Sequence, residues 1–284
     1  MAILNAERWL DRLGFLDPIA DAYQKQVAAW LTRGGARARA AKDALNGTWL
    51  GHPLHPALTD LPIGAWTGST LLDLVGEDGA ADLLLGLGCV AGTAAAAAGL
   101  ADWQDSYGQE RRVGAAHGLL NLAALGAMTS ALVLRRARRR GWARPLALGG
   151  YGLAAASGYL GGHLVFRLGT QVNRNAFVEG PSEWQVAGAE ERVVEGALVA
   201  CQVGGTRILV TRVDGRLCAL SNVCSHAGGP LAEGDLAHGV VRCPWHGSRF
   251  DVRTGAVVEG PATAPLPTYA TRVSETGEVE VRAG

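Results

Sequence analysis

Net charge is the first thing this 284-residue sequence lacks: 26 Lys and Arg balance 26 Asp and Glu. Bulk electrostatics gives no reason to expect nucleic acid or another polyanion as partner. Cysteine is scarce too. Five residues are too few for a disulfide framework, and their spacing points to metal instead. Cys89, Cys201 and Cys218 lie in apolar or strand-like runs, where burial as small apolar side chains is expected. From Met1 to Asp21 charges interrupt the region where a cleavable signal peptide needs a continuous apolar core. Any membrane helix farther along the chain is therefore expected to act as its own insertion signal. No internal repeat and no extended disordered tract stands out.

Charge is also nearly absent locally, over 53–75, 80–101, 113–134 and 145–166. Each stretch is near the ~20 residues needed to cross a ~30 Å hydrocarbon layer. The expectation is an all-α four-helix transmembrane bundle in a bacterial inner membrane, with lipid as its surroundings. The stretches are rich in Gly and Ala, as in Gly92 to Gly99, and small residues let helices pack closely in a membrane. A soluble Ala-rich bundle is the alternative, which four such stretches in series disfavour. Residues 3–32 read as amphipathic, with Leu10, Leu13, Leu16, Ile19, Val27, Trp30 and Leu31 apolar among charges. A second helix starts at Asp17-Pro18, and these helices are expected along the membrane surface. A basic stretch from Arg33 to Lys42 leads to the first span, in which Pro62 should introduce a bend. The boundaries read as 1–50 for the N-terminal helices, 51–170 for the four-helix domain and 171–184 for a polar linker containing Gly180-Pro181.

From Gln185 onward the periodicity changes to short β-prone runs such as Arg207 to Val213, separated by turn signals including Asp214-Gly215 and Thr276-Gly277. An all-β domain over 185–282 is expected. Two loops in it stand out: Cys224-Ser225-His226-Ala227-Gly228-Gly229-Pro230-Leu231 and Cys243-Pro244-Trp245-His246-Gly247-Ser248. Each supplies one thiolate and one imidazole. In a Cys₂His₂ [2Fe-2S] centre two thiolates hold one iron and two imidazoles the other, so matched pairs on two loops are what that chemistry requires. A structural zinc site also uses two Cys and two His. Zinc fingers, however, usually pair Cys with Cys and His with His.

On these residues the segment 185–282 resembles a Rieske domain. The resemblance implies a cluster-binding lobe on an antiparallel β-sandwich base, with Cys224, His226, Cys243 and His246 as ligands of one [2Fe-2S] cluster. It implies a covering loop over Gly260-Pro261, Pro265 and Pro267, and exposure of His226 and His246 to protein redox donors and acceptors. Rieske proteins of respiratory complexes carry an additional cysteine in each loop, where this sequence has Gly229 and Trp245, so their disulfide is not expected here. Of their Ser and Tyr donors to the cluster sulfurs, Ser248 is kept and Phe250 replaces the Tyr. Rieske potentials span roughly −150 to +300 mV, and a value below the respiratory type is expected. Rieske oxygenases add two His and a carboxylate for a mononuclear iron. A stand-alone oxygenase is not expected.

The run from Gly47 to Gly64, with His52-Pro53-Leu54-His55-Pro56, resembles a family of bacterial four-helix membrane proteins of unknown function that are sometimes joined to Rieske domains. With alternating helix directions His52, His55, His117 and His163 fall toward one membrane face, with Asp60 about a turn deeper and Asp102-Trp103 on the same side. Ionisable groups within a span normally face the bundle interior. Three readings stay open: ligands of a b-type haem, a quinone headgroup site with Asp60, or structural histidines. Basic residues near the membrane ends favour the face carrying Arg33, Arg37, Arg39, Lys42, Arg111, Arg112, Arg167 and Arg174 as cytoplasmic. The arginine run from Arg135 to Arg140 lies opposite. The β domain is thus expected in the cytoplasm.

Overall fold

A computed structural model describes residues 12–284; the start of the amphipathic segment, including Leu10, lies outside the described residues. The chain forms two units, one running to Asn46 and resuming over Pro53–Thr170, the other comprising Gly47–His52 and Gln171–Gly284.

Among the described residues the helical unit has five long helices, one before the expected four. The first, α1 (Asp17–Asn46), absorbs the basic stretch and is kinked at Gly35, whose φ of 53° is left-handed and suits glycine. Helices over the four charge-poor stretches follow as α2 (Leu54–Val75), α3 (Asp78–Trp103), α4 (Gly108–Arg136) and α5 (Arg140–Phe166). The helix α2 is continuous through Pro62. Two of them, α3 and α4, are long and apolar enough to cross a membrane. Large apolar side chains are exposed on all four, including Leu74, Val90, Val133, Leu148 and Phe166.

Polar contacts dock α1 on the α3–α4 end of the bundle. Arg112 grips Asp17 with Nη2 to Oδ2 at 2.7 Å, Arg111 pairs with Asp21, and Lys42 reaches Asp105 at 2.5 Å. The hydrogen bond from Arg112 holds the Asp17 carboxyl below its usual 3.8. A depressed carboxylate stabilises the folded state above its unfolded value and loses that contribution as pH falls through the folded one. Cleavage of α1 by an acid-active protease is therefore expected to rise below about pH 4. In Asp17→Asn it should already be high at pH 5.

The expectation of no internal repeat is corrected by the bundle. At one constant offset, α2–α3 repeats as α4–α5: His55 matches His117, Gly64 matches Gly126, Thr67 matches Thr129, Gly88 matches Gly150 and Gly99 matches Gly161. The contacts repeat as well. His55 Nδ1 meets the carbonyl of Ala95 at 2.8 Å, and His117 Nδ1 meets that of the matching Ser157 at 2.8 Å. At the opposite end the repeat inverts its charge, with Asp73, Asp78 and Asp82 matched by Arg135, Arg140 and Arg144. The two sets pair across the hairpins: Arg135 with Asp73 and Asp82, Arg140 with Asp78 and Asp82, and Arg144 with Asp78.

The second unit is all-β. Its strands are β1 (Gln185–Ala189), β2 (Val199–Val203), β3 (Thr206–Val213), β4 (Arg216–Ser221), β5 (Asp235–Ala237), β6 (Val240–Arg242), β7 (Arg249–Asp251), β8 (Val257–Glu259), β9 (Thr268–Val273) and β10 (Glu278–Ala283). They form a six-stranded antiparallel sheet in the order β1-β10-β9-β4-β3-β2 and a four-stranded antiparallel sheet β5-β6-β7-β8. Asp214 and Gly215 both take positive φ in the two-residue β3–β4 turn. That is the hairpin geometry the Asp-Gly pair favours. Side chains on β3 alternate: Leu209 packs with Leu220, Val241 and Phe250, while Ile208 and Val210 pack with Val279 and Val281 on the other face.

The segment read as a linker is built into this unit. Asn175 is buried, donating to Val223 O at 2.8 Å and accepting from Ser221 Oγ at 2.7 Å. Thr206 Oγ1 donates to Glu179 O at 2.9 Å, and Ala283 N to Pro181 O at 2.7 Å.

Candidate metal centre

Both Cys/His loops sit at strand ends, the first after β4 and the second between β6 and β7. They repeat one turn. Cys224 N donates to Gly229 O at 2.9 Å and Gly228 N returns to Cys224 O at 2.9 Å; Cys243 N donates to Ser248 O at 2.8 Å and Gly247 N to Cys243 O at 3.1 Å. Gly228 and Gly247, four residues after each cysteine, have φ of 87° and 79°, a conformation that glycine adopts without steric cost. A Cβ on Gly229 would stand 2.9 Å from Cys243 Sγ and 3.1 Å from the Trp245 ring. The loops meet at that point only because the side chain is missing.

The four residues singled out in the sequence come together as two pairs. Cys224 and Cys243 are buried in the core between the sheets, beside Phe250 and Leu231. Their thiols are hydrogen-bonded to one another, and this bond, with burial, pushes Cys224 well above the usual thiol range. Cys243 is pulled down to about 6, first by the bond from Cys224 and further by the backbone N–H groups of Trp245 and His246, against the effect of burial. N–H groups of His226 and Ala227 point at Cys224 in the same way. These donors would stabilise negative sulfur. The imidazoles of His226 and His246 lie farther out, half-buried, with Nδ1 atoms 3.2 Å apart and rings nearly perpendicular at 4.8 Å. Ligands of one tetrahedral metal at about 2.0–2.1 Å per bond lie roughly 3.4 Å apart, so the two nitrogens could share one ion. Among the described residues no three His, Cys, Asp or Glu side chains converge on a single point. Two separate pairs suit two irons rather than one zinc.

Sequence matching agrees with this arrangement. Residues 183–270 match the family model described as "Rieske [2Fe-2S] domain", and residues 51–174 match "Predicted membrane protein (DUF2231)". The anthranilate 1,2-dioxygenase ferredoxin subunit of Burkholderia cepacia is 37% identical over 103 residues, 36% of this chain and 94% of that protein. The chain belongs to the Rieske [2Fe-2S] family. Its Rieske domain is also 31% identical over 91 residues to the ferredoxin component of the naphthalene 1,2-dioxygenase system of Pseudomonas putida, covering 32% of this chain and 88% of the relative. Among solved structures, the ferredoxin of carbazole 1,9a-dioxygenase from Nocardioides aromaticivorans IC177 aligns with a TM-score of 0.34 and 31% identity, over 36% of this chain and all of that one. A Rieske domain of the ferredoxin type is an electron-transfer module with a [2Fe-2S] cluster. Here it is fused to a membrane-family helical domain.

Supporting residues complete the Rieske site. Ser248 is fully buried; its Oγ accepts from Ala262 N at 3.0 Å, and among the described residues its O–H donates to no protein group. That proton is available to the metal site. Phe250 is also fully buried and brings no hydroxyl. The loop expected to cover the cluster does reach both metal loops, through Ala262 to Ser248 and through Ala264 O, which accepts from Ser225 Oγ at 2.6 Å. Ser225 and Asn175 had no signal in the sequence, because their roles depend on partners 39 and 46 or more positions away. Trp245, beside His246, is 55% exposed. Cys201 and Cys218 are half-buried on β2 and β4, where burial raises their thiols above the usual range, and Cys89 is buried in the bundle core.

Of the bundle histidines the structure unites two. His55 and His117 approach to 6.0 Å between ring centres with planes at 86°. His163 has its Nε2 buried without a protein partner among the described residues. His52 is exposed and falls in the other unit. Asp60, expected to face the interior, is exposed on α2 and does not join the histidines.

Proposed function

We propose that the protein is a membrane-anchored one-electron carrier in which Cys224 and Cys243 hold the inner iron of a [2Fe-2S] cluster and His226 and His246 the outer iron. The observation that carries this reading is the sorting of the ligands, thiols paired in the core and imidazoles paired toward the surface. When bound, such a cluster takes up and gives back one electron. The chain's own residues insulate the thiolate side with Leu231, Phe250 and Ala262 and leave the histidine edge, flanked by exposed Trp245, for partner proteins. The likeness to dioxygenase ferredoxins supports protein donors and acceptors on both sides of the transfer. Anchoring is supported by the apolar outer faces of the helices. The basic residues near the membrane ends support a multi-pass inner-membrane location with the Rieske domain in the cytoplasm.

Ser248 sets the potential in this account. With a cluster bound, its hydroxyl would donate to cluster sulfur and stabilise the reduced, more negative state. In Ser248→Ala a redox titration followed by EPR is expected to show a midpoint lower by roughly 20–65 mV, the equivalent of one hydrogen bond of about 0.5–1.5 kcal/mol. An unchanged midpoint would remove that role. The reading as a whole is tested by reduction with dithionite and reoxidation by an added redox protein in stopped flow. Rapid single-electron exchange is expected, and its absence with a fully assembled cluster would point to a structural or sensing role.

A further inference from the structure

The histidine pair in the bundle is arranged as metal ligands are, and nothing about the Rieske domain requires it. Each imidazole sits at the same place in the two repeats, and each points Nδ1 at a backbone carbonyl, His55 at Ala95 O and His117 at Ser157 O, both at 2.8 Å. A carbonyl only accepts, so both rings carry their proton on Nδ1 and present the Nε2 lone pair. That is the support found behind most metal-bound histidines, where the non-ligating N–H is tied to a carbonyl and fixes tautomer and ring orientation. The helices are shaped to hold the rings. A Cβ on Gly99 would stand 2.8 Å from His55 Nδ1, and one on the matching Gly161 would stand 3.2 Å from His117 Cε1. With its Nδ1 edge against its own hairpin's second helix, each ring has its Nε2 edge on the other side.

The separation chooses the occupant. Two imidazoles holding one ion from opposite sides, at about 2.0–2.1 Å per bond, have ring centres roughly 6 Å apart, which is the 6.0 Å observed. An ion held by this pair would meet the same ligand type from each repeat. No third His, Cys, Asp or Glu joins the pair among the described residues, so the ion's other ligands must come with it. Haem iron meets that condition, since the porphyrin supplies four equatorial nitrogens and leaves two axial places. The bundle also departs from its own symmetry in a useful direction: α2 and α5 pack much less closely than the equivalent α3 and α4. That looser seam offers a flat macrocycle a way between the helices. We propose that His55 and His117 are the axial ligands of a non-covalently bound haem in the helical unit.

One polar group competes for the site. Asn121 Nδ2 donates to His117 Nε2 at 3.1 Å, holding the lone pair when no metal is present. Removing this amide should favour the ligand, whereas removing a histidine should abolish binding, so the two substitutions act in opposite directions.

The test is titration of the detergent-purified full chain with hemin, read by absorption, with Cu(I) titrated separately as the bare-metal alternative. One hemin per chain with a six-coordinate low-spin spectrum is expected. Affinity should fall at least tenfold in His55→Ala and in His117→Ala and stay unchanged in His163→Ala. It should rise severalfold in Asn121→Ala, a gain that misfolding cannot mimic. The Rieske EPR signal, recorded on every variant, should be the same throughout and separates loss of the haem site from loss of the fold or of the cluster. Equal hemin binding by wild type and the double histidine variant, absence of hemin binding, or uptake of Cu(I) in its place would each overturn the proposal.

Discussion

Cys243→Ala is expected to strip the protein of its cluster and of all one-electron transfer, while Cys218→Ala and Cys201→Ala leave both intact. The contrast rests on position. Cys243 is 2% exposed in the core between the two sheets, hydrogen-bonded to Cys224 and ringed by backbone N–H groups that stabilise a thiolate. Removing it leaves one iron a ligand short, with no spare group nearby, because among the described residues no further His, Cys, Asp or Glu converges on the site. Cys201 and Cys218 lie half-buried on β2 and β4 as free thiols. Loss of the cluster should also loosen the β domain, since metal binding and folding of the surrounding loops are coupled. Iron and acid-labile sulfide analysis, with far-ultraviolet circular dichroism on melting, reads both effects.

Arg135→Leu is expected to lower the melting temperature of the helical unit by about 6–12 °C, from a loss of roughly 3 kcal/mol. The side chain is fully buried and pairs with Asp73, which is itself 10% exposed, and with Asp82 at 2.9 Å. Deleting one partner of a buried pair strands the other charge, at a cost of about 3–5 kcal/mol. The lower figure applies because Arg140 and Arg144 also reach Asp73, at 3.4 and 3.5 Å. The repeat offers a sharper control. Asp73 and Arg135 occupy matching positions, so the exchanged pair Asp73→Arg with Arg135→Asp should recover much of the loss that either single change causes. Thermal melting in detergent would show it, and an exchanged variant no better than the singles would mean that the pairing does not depend on the matched placement.

Local chemistry was readable from the sequence and tertiary pairing was not. The two metal loops declare themselves because each ligand pair is three or four residues long and its glycines follow at fixed positions. The Asp214-Gly215 hairpin and the helices over the four charge-poor stretches are equally local. The segment 171–184 read as a linker because its polar residues find their partners only once β3, β4 and β10 are assembled. The repeat was hidden for a related reason. Its most conspicuous positions differ in kind, with Asp73, Asp78 and Asp82 opposite Arg135, Arg140 and Arg144, and Trp66 opposite Met128. Contacts such as His55 to Ala95 and His117 to Ser157 make the equivalence of the two halves plain. Asp60 misled because a helix that buries one stripe exposes another, and the sequence places residue 60 near the histidines along the chain without fixing its face.

The central claim, a Rieske cluster held by Cys224, His226, Cys243 and His246, is tested most directly by low-temperature EPR of the detergent-purified, dithionite-reduced chain beside His246→Cys. The wild type is expected to give the anisotropic signal of a reduced Cys₂His₂ cluster with a low average g, and the variant either that of an all-thiolate-like [2Fe-2S] centre or none. An iron- and sulfide-replete wild type that lacks the Rieske signal, or a variant whose signal is unchanged, would contradict the assignment.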